Sequence, residues 1–322
     1  MKKIAFLCPY FGKLPEYFQL WLNSCKSNSN STFFLITDDR NKFNYPNNVH
    51  VIYKTFDDFR KDVQKKFDFK IALSSIHKIG DFKPALGYIY KELIDGYDAW
   101  AYIDVSDEIY GDISKFVNDE MLNKYDKIML LGHLSIIKNN DKNNLAFMRE
   151  IEGCVNYKEV FSSPSFFNFE EVTKNSINTI YKNADDLSLK NLSDNIADLN
   201  CLAYRFKRVI CDENFDFKFA NDSKFKSIYE WNHGKIFGYF IIGSTIQKKE
   251  FLYIHFKRRK MNVNIPLNSQ RYLITPSGFY PYLNVTSEIV RKYGKGKILY
   301  SVYLKTKFAS LVQRVKKVKE LL

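Results

Sequence analysis

The chain's 322 residues suit one large α/β domain, or one domain with an extension, and 45% of them are hydrophobic, an ordinary share for a globular core. The formal net charge is +13, but lysine and asparagine are abundant throughout, so the sum does not argue for nucleic acid and no nucleic-acid partner is expected. The cysteines, Cys8, Cys25, Cys154, Cys201 and Cys211, are odd in number, scattered and never in a CxxC pair, which excludes a zinc-finger pattern and a disulfide framework and favours reduced thiols in the cytoplasm.

The start, MKKIAFLCPYFG, has the charge of a signal peptide, but the apolar run at 4–8 is too short and Pro9 follows at once. Residues 3–8 read as a strand. A helix is expected over 14–25, with Pro15 near its first turn and Phe18, Trp21, Leu22 and Cys25 at helical spacing. Strands at 32–37 and 48–55, helices at 56–67 and 83–94, and strands at 99–104 and 126–132 follow. Strands separated by helical patterns imply parallel β-α-β units. The stretch 150–200 is polar, and 191–202 reads as a capped helix or an ordered loop over a site. Residues 229–241 read as a hairpin turning at 232–234, and 250–261 as a strand ending in Lys257, Arg258, Arg259 and Lys260. No run approaches the roughly 18 apolar residues of a membrane span.

The tail differs. Residues 291–322 hold ten basic residues and only Glu320 opposes them. Leu304, Phe308, Leu311, Val312, Val315 and Val318 recur mostly every three or four positions. That pattern predicts an amphipathic helix with a basic face, lying on an anionic membrane surface or packed on its own domain.

In open α/β sheets, ligands sit outside the carboxyl ends of the strands. Those ends are Pro9, Tyr10 and Phe11 in PYFG, then Asp38 and Asp39, then Asp104. No G-x-G-x-x-G follows the first strand, so a dinucleotide site is not expected, and no G-x-x-x-x-G-K-[ST] exists, so a P-loop is excluded. The stretch AWAYIDVSDEIYGDI places Asp104, Asp107, Glu108 and Asp112 at the end of a buried-looking strand. Paired carboxylates there suit Mn²⁺ or Mg²⁺ held against a diphosphate; the plain alternative is an acidic turn whose aspartates cap a following helix.

IAFLCPYFGKLPEYFQLWLNSC, FFLITDD, DFKPALGYIY, GYDAWAYIDVSDEIYGDI, YDKIMLLGH and EFLYIHFKRRKM occur in that order. Over roughly 3–261 this resembles a bacterial family of GT-A-type glycosyltransferases of capsule and lipopolysaccharide assembly. The resemblance implies a Rossmann-like mixed sheet flanked by helices over 1–261, and an extension at 262–322 ending in the basic helix. It also implies a nucleotide-sugar donor, UDP-linked by preference, and a glycan or lipid-linked acceptor, on the cytoplasmic side of the membrane. An Asp-x-Asp metal motif is expected after the GYDAWAYID strand, but this chain reads Asp104-Val105-Ser106-Asp107, so either Asp107 or Ser106 takes the second ligand place.

By the same resemblance His255 completes the metal site, and Lys257 and Arg258 hold donor phosphates. Asp81 and Lys83 border the donor sugar. Tyr10 and Phe11 stack on a base, and Asp38 or Asp39 accepts a hydrogen bond from base or ribose. His133 falls on the acceptor side, and Asp194 and Asp198 are the candidate catalytic bases. Each has a plain counterpart: core aromatics, helix caps, or a solvated basic face. The competing functions are a nucleotidyltransferase, a basic nucleic-acid-binding protein, and an inactive relative that binds sugar or scaffolds a synthesis complex.

Overall fold

The computed structural model describes residues 1–296 except Ser106, Lys174, Leu202 and Arg258. Ser106, Arg258 and the helix expected at 304–322 therefore lie outside the described residues.

The first sheet runs β3-β2-β1-β4-β7-β6-β8. Its strands are β1 (Ile4–Tyr10), β2 (Ser31–Thr37), β3 (Val49–Tyr53), β4 (Ala99–Ile103), β6 (Lys127–Ile128), β7 (Leu134–Lys138) and β8 (Leu189–Lys190). Ile4–Cys8 and all of β4 are buried, as central strands covered on both faces must be. β3, β2, β1 and β4 are mutually parallel, with Phe6 opposite Phe33 on one side and Ala101 on the other. Helix α1 (Phe18–Lys26) buries Phe18, Trp21, Leu22 and Cys25 against one face. Phe59 and Val63 of α2 (Phe56–Gln64) join the core on the opposite face.

Two expected elements differ. The helix at 83–94 is a chain of short turns, Lys83–Ala85, Leu86–Ile89 and Lys91–Leu93. Pro84 supplies no backbone donor there, and Gly87 crosses the Trp100 ring so closely that a Cβ would lie 2.3 Å from it. The strand at 126–132 survives only as β6: Met129 adopts φ 81°. The chain turns before β7, which lies antiparallel to β4 and makes the sheet mixed.

A second sheet, β14-β13-β12-β17-β18-β16, is built from β12 (Ser227–Asn232), β13 (Lys235–Ile242), β14 (Thr245–Phe251), β16 (Asn262–Val263), β17 (Arg271–Thr275) and β18 (Gly278–Pro281). The hairpin turns where expected: His233 and Gly234 take φ 47° and 82°, the paired left-handed conformation that matches strand twist. The boundary expected at 261/262 falls inside this sheet, because β17 pairs with β12 across it.

A third sheet joins three distant segments. β15 (Tyr253–His255) pairs antiparallel with β5 (Glu108–Tyr110) and parallel with β9 (Ala197–Asp198), setting His255 opposite both Glu108 and Asp198. Gly111 permits this junction, since a Cβ there would lie 2.7 Å from the Phe251 carbonyl oxygen. β10 (Val209–Cys211) and β11 (Phe217–Phe219) form a separate hairpin. Among the described residues, no helix is long and apolar enough to cross a membrane.

Candidate metal centre

The third sheet and the end of β4 meet at one pocket of about 220 Å³, lined by Asp104, Asp107, Leu131, His133, Glu171, Asp198, Phe217, His255 and Lys257. The Asp104 N–H donates to the His133 carbonyl (2.9 Å), which ties the end of β4 to the turn before β7. His133, Asp198 and His255 are all buried, and each offers one ligand atom, the three lying within 4.8 Å of one another. The two imidazoles stack at 3.9 Å between ring centres. Asp198 Oδ1 lies 3.0 Å from His255 Nδ1, and Asp198 Oδ2 lies 2.8 Å from Lys257 Nζ.

The donor set fits a divalent cation. His133 Nδ1 is 2.8 Å from Tyr253 Oη, while its Nε2 is buried without a hydrogen-bond partner. A proton on Nδ1, donated to Tyr253, leaves the Nε2 lone pair for a metal. Burial, reinforced by His255, holds the His133 pKa well below the usual value, so the ring is neutral as a ligand must be. Burial alone would raise the Asp198 pKa, but the His255 hydrogen bond and the charge of Lys257 outweigh it and hold the carboxyl ionised far below the usual range. Asp198 is thus a holder of positive charge and a poor base.

Asp104, its side chain 43% exposed, pairs with buried Lys83, whose Nζ also donates to the Gly132 carbonyl (3.1 Å). Burial again pulls the Asp104 pKa up, and the charge of Lys83 brings it down. Counted formally, the carboxylates Asp104, Asp107, Glu171 and Asp198 face the lysines Lys83 and Lys257, leaving two negative charges for one divalent ion. Glu108 does not add to them. It is fully buried, accepts a hydrogen bond from Tyr110 Oη, and burial raises its pKa well above the ordinary carboxylate value.

Residues 6–283 match the profile of a family described as a family of unknown function, DUF6625. The chain belongs to that family. No curated protein matches the sequence. Among solved structures it is similar to the crystal structure of the glycosyltransferase GlyE of Streptococcus pneumoniae TIGR4, at 14% identity and a TM-score of 0.29. That likeness covers 60% of this chain and 46% of the other, so the chain spans less than half the length of that structure, and the similarity is too slight to carry an argument.

In this DUF6625 member the structure brings Asp104, Asp107, His255 and Lys257 to one pocket, with Lys83 paired to Asp104. It moves Asp198 from base to candidate ligand, and it adds His133, which the sequence placed on the acceptor side. Asp194 does not line the pocket: it is 67% exposed and pairs with Arg208 and Lys249, both at 2.9 Å. Asp81 is buried structure, holding Lys78 at 2.7 Å and accepting from the Phe167 and Phe169 N–H groups at 3.0 and 2.9 Å. Phe11 packs on Phe56 and Phe59 in the core and has no exposed face for a base. Asp39 is buried, accepting from the Leu14 and Asn41 N–H groups.

Asp38 accepts from the Gly12 N–H (2.7 Å) but stays exposed. Pro9 and Tyr10 end β1, and Tyr10 Oη donates to the Lys13 carbonyl (3.1 Å). Asp112 does cap a helix, accepting from the Lys115 N–H (3.2 Å). The sequence did not single out Tyr253, Glu171 or Phe217.

Proposed function

We propose that this chain is a metal-assisted glycosyltransferase, moving a sugar from a nucleotide-diphosphate donor, UDP-linked by preference, to a hydroxyl of a bacterial surface glycan or glycolipid. The observation that carries the reading is the convergence of two buried imidazoles and a run of carboxylates at the carboxyl end of β4, with a surplus of two negative charges. This is the place where open α/β sheets take ligands. A divalent cation held by His133, Asp198 and His255 would neutralise charge on a leaving diphosphate. Two imidazoles in the set favour Mn²⁺ over Mg²⁺, which prefers oxygen alone.

The chain's own residues then divide the remaining work. Asp104, fixed by Lys83, accepts a hydroxyl of the donor sugar. Lys257, beside Asp198, faces donor phosphate as a point charge. Glu171, on the pocket wall, receives the acceptor proton in this reading. The GT-A-like character of the sheet and the placing of residues 304–322 on a membrane surface belong to this same proposal.

A second reading, a relative that binds sugar without transferring it, draws on the Lys83–Asp104 and Lys257–Asp198 pairs, which already oppose two of the carboxylates. Thermal shifts with UDP-, GDP- and CDP-linked sugars, each with Mn²⁺ or EDTA, followed by product analysis, separate the two. Transfer predicts donor stabilisation only with metal, by an amount set by ligand concentration over Kd. Stabilisation by sugar alone, indifferent to metal and without turnover, supports the binder.

A further inference from the structure

We propose that Phe217 is a stacking platform for a pyranose ring of the acceptor, and that Phe219 extends it one step along β11. The proposal rests on the transfer reading and adds to it the residue that seats the acceptor, by its pyranose ring and not through an open polyol, a nucleoside or a peptide hydroxyl.

The pocket wall is polar except at two positions. Leu131 is 2% exposed and belongs to the core, whereas Phe217 is 51% exposed. Among the described residues it is the one large apolar side chain that both lines this pocket and faces solvent. Exposed aromatics also occur elsewhere in the chain, at Tyr53 and Tyr204, but Phe217 is the one that lines a pocket with carboxylates and a lysine.

Its placement is fixed by the hairpin. Cys211 pairs with Phe217 and Val209 with Phe219. Successive strand residues point to opposite faces, so Phe217 and Phe219 share one face about 7 Å apart, with Lys218 on the other. Phe219 is 54% exposed. Lys257 connects the platform to the metal centre, its Nζ lying 2.8 Å from Asp198 Oδ2 and 6.0 Å from the centre of the Phe217 ring.

A pyranose uses both kinds of surface at once. One ring face presents C–H groups that pack on an aromatic ring, while the rim presents hydroxyls that donate to carboxylates and accept from lysine. A phenyl ring surrounded by Asp104, Asp107, Glu171 and Lys257 offers that combination.

The test uses the full chain. Binding of lactose, maltotriose and chitotriose is measured by calorimetry, with mannitol and uridine as controls lacking a pyranose. Binding of UDP with Mn²⁺ is measured separately. At least one ring sugar is expected to bind wild type, with Phe217→Ala weakening it about tenfold, Phe217→Trp restoring it and Phe219→Ala giving a smaller loss. UDP affinity is expected to be unchanged in all variants.

Wild type that binds none of the ring sugars, or Phe217→Ala that binds them equally well, overturns the platform. Loss of UDP affinity in Phe217→Ala also overturns it, by placing the ring on the donor side. Wild type that ignores UDP yet loses ring-sugar binding on Phe217→Ala keeps the platform and refutes transfer instead.

Discussion

Glu170 carries a carboxyl that the fold holds in its protonated form, and replacing it with glutamine should change how stability depends on pH. The side chain is buried and its Oε2 has no hydrogen-bond partner. It is wedged between two glycines: a Cβ on Gly80 would lie 2.3 Å from Oε1, and one on Gly132 would lie 2.6 Å from Cγ. Burial pushes its pKa up from 4.5 to about 8, with Lys83 pulling the other way and Glu171 adding to the rise. A raised carboxyl keeps in the folded protein a proton that the unfolded chain has already released. Its stability contribution is therefore full below the unfolded value and is lost as pH rises through about 8.

Each pKa unit is worth about 1.4 kcal/mol, so between pH 5.5 and 7.5 Glu170 should remove about 2–3 kcal/mol from the wild type. Glu170→Gln has the same shape and no titration. Its melting temperature relative to wild type should climb by several degrees across that interval and level off above pH 8. Paired thermal melts from pH 5 to 9 measure this. Curves that stay parallel would refute the buried, proton-holding account of Glu170.

Asp81→Asn should destabilise by about 3–5 kcal/mol in urea melts, because it leaves Lys78 charged in the core, yet the folded fraction should bind donor normally; a selective loss of donor binding would return Asp81 to the site. Asp194→Ala should leave transfer within twofold of wild type in initial-rate assays, since the side chain stands outside the pocket and is mostly exposed. Full-length protein should float with anionic liposomes at low salt and release at high salt, while a chain ending at Tyr303 should not float; equal flotation of both would remove the membrane role from residues 304–322.

What was legible in the sequence is what local pattern controls. β1, β2 and β4 are apolar runs because parallel central strands are buried on both faces, and the hairpin at 233–234 is marked by the residues its left-handed turn needs. Asp104 and His255 were legible as strand ends. The run IMLLGHLSIIK was not, because continuous hydrophobicity does not locate the turn before Leu134, and the strand was placed too early. The role of Asp198 was hidden because its partner His255 lies 57 positions away and is brought to it only by the pairing of β9 with β15. Asp39 and Asp81 look like available carboxylates in sequence, but backbone N–H groups occupy them, and nothing local separates a carboxylate holding a loop from one facing a ligand.

The most direct test of the central claim is manganese binding by the full-length protein, followed through the electron paramagnetic resonance signal of free Mn²⁺ in the presence of UDP. The account predicts loss of that signal up to one ion per chain for wild type and for Asp194→Ala. It predicts no loss beyond that caused by UDP alone for His133→Ala or Asp198→Asn variants that melt cooperatively. A wild-type protein that leaves the signal untouched, or His133 and Asp198 variants that titrate like wild type, would contradict the assignment of this pocket as the metal centre of a glycosyltransferase.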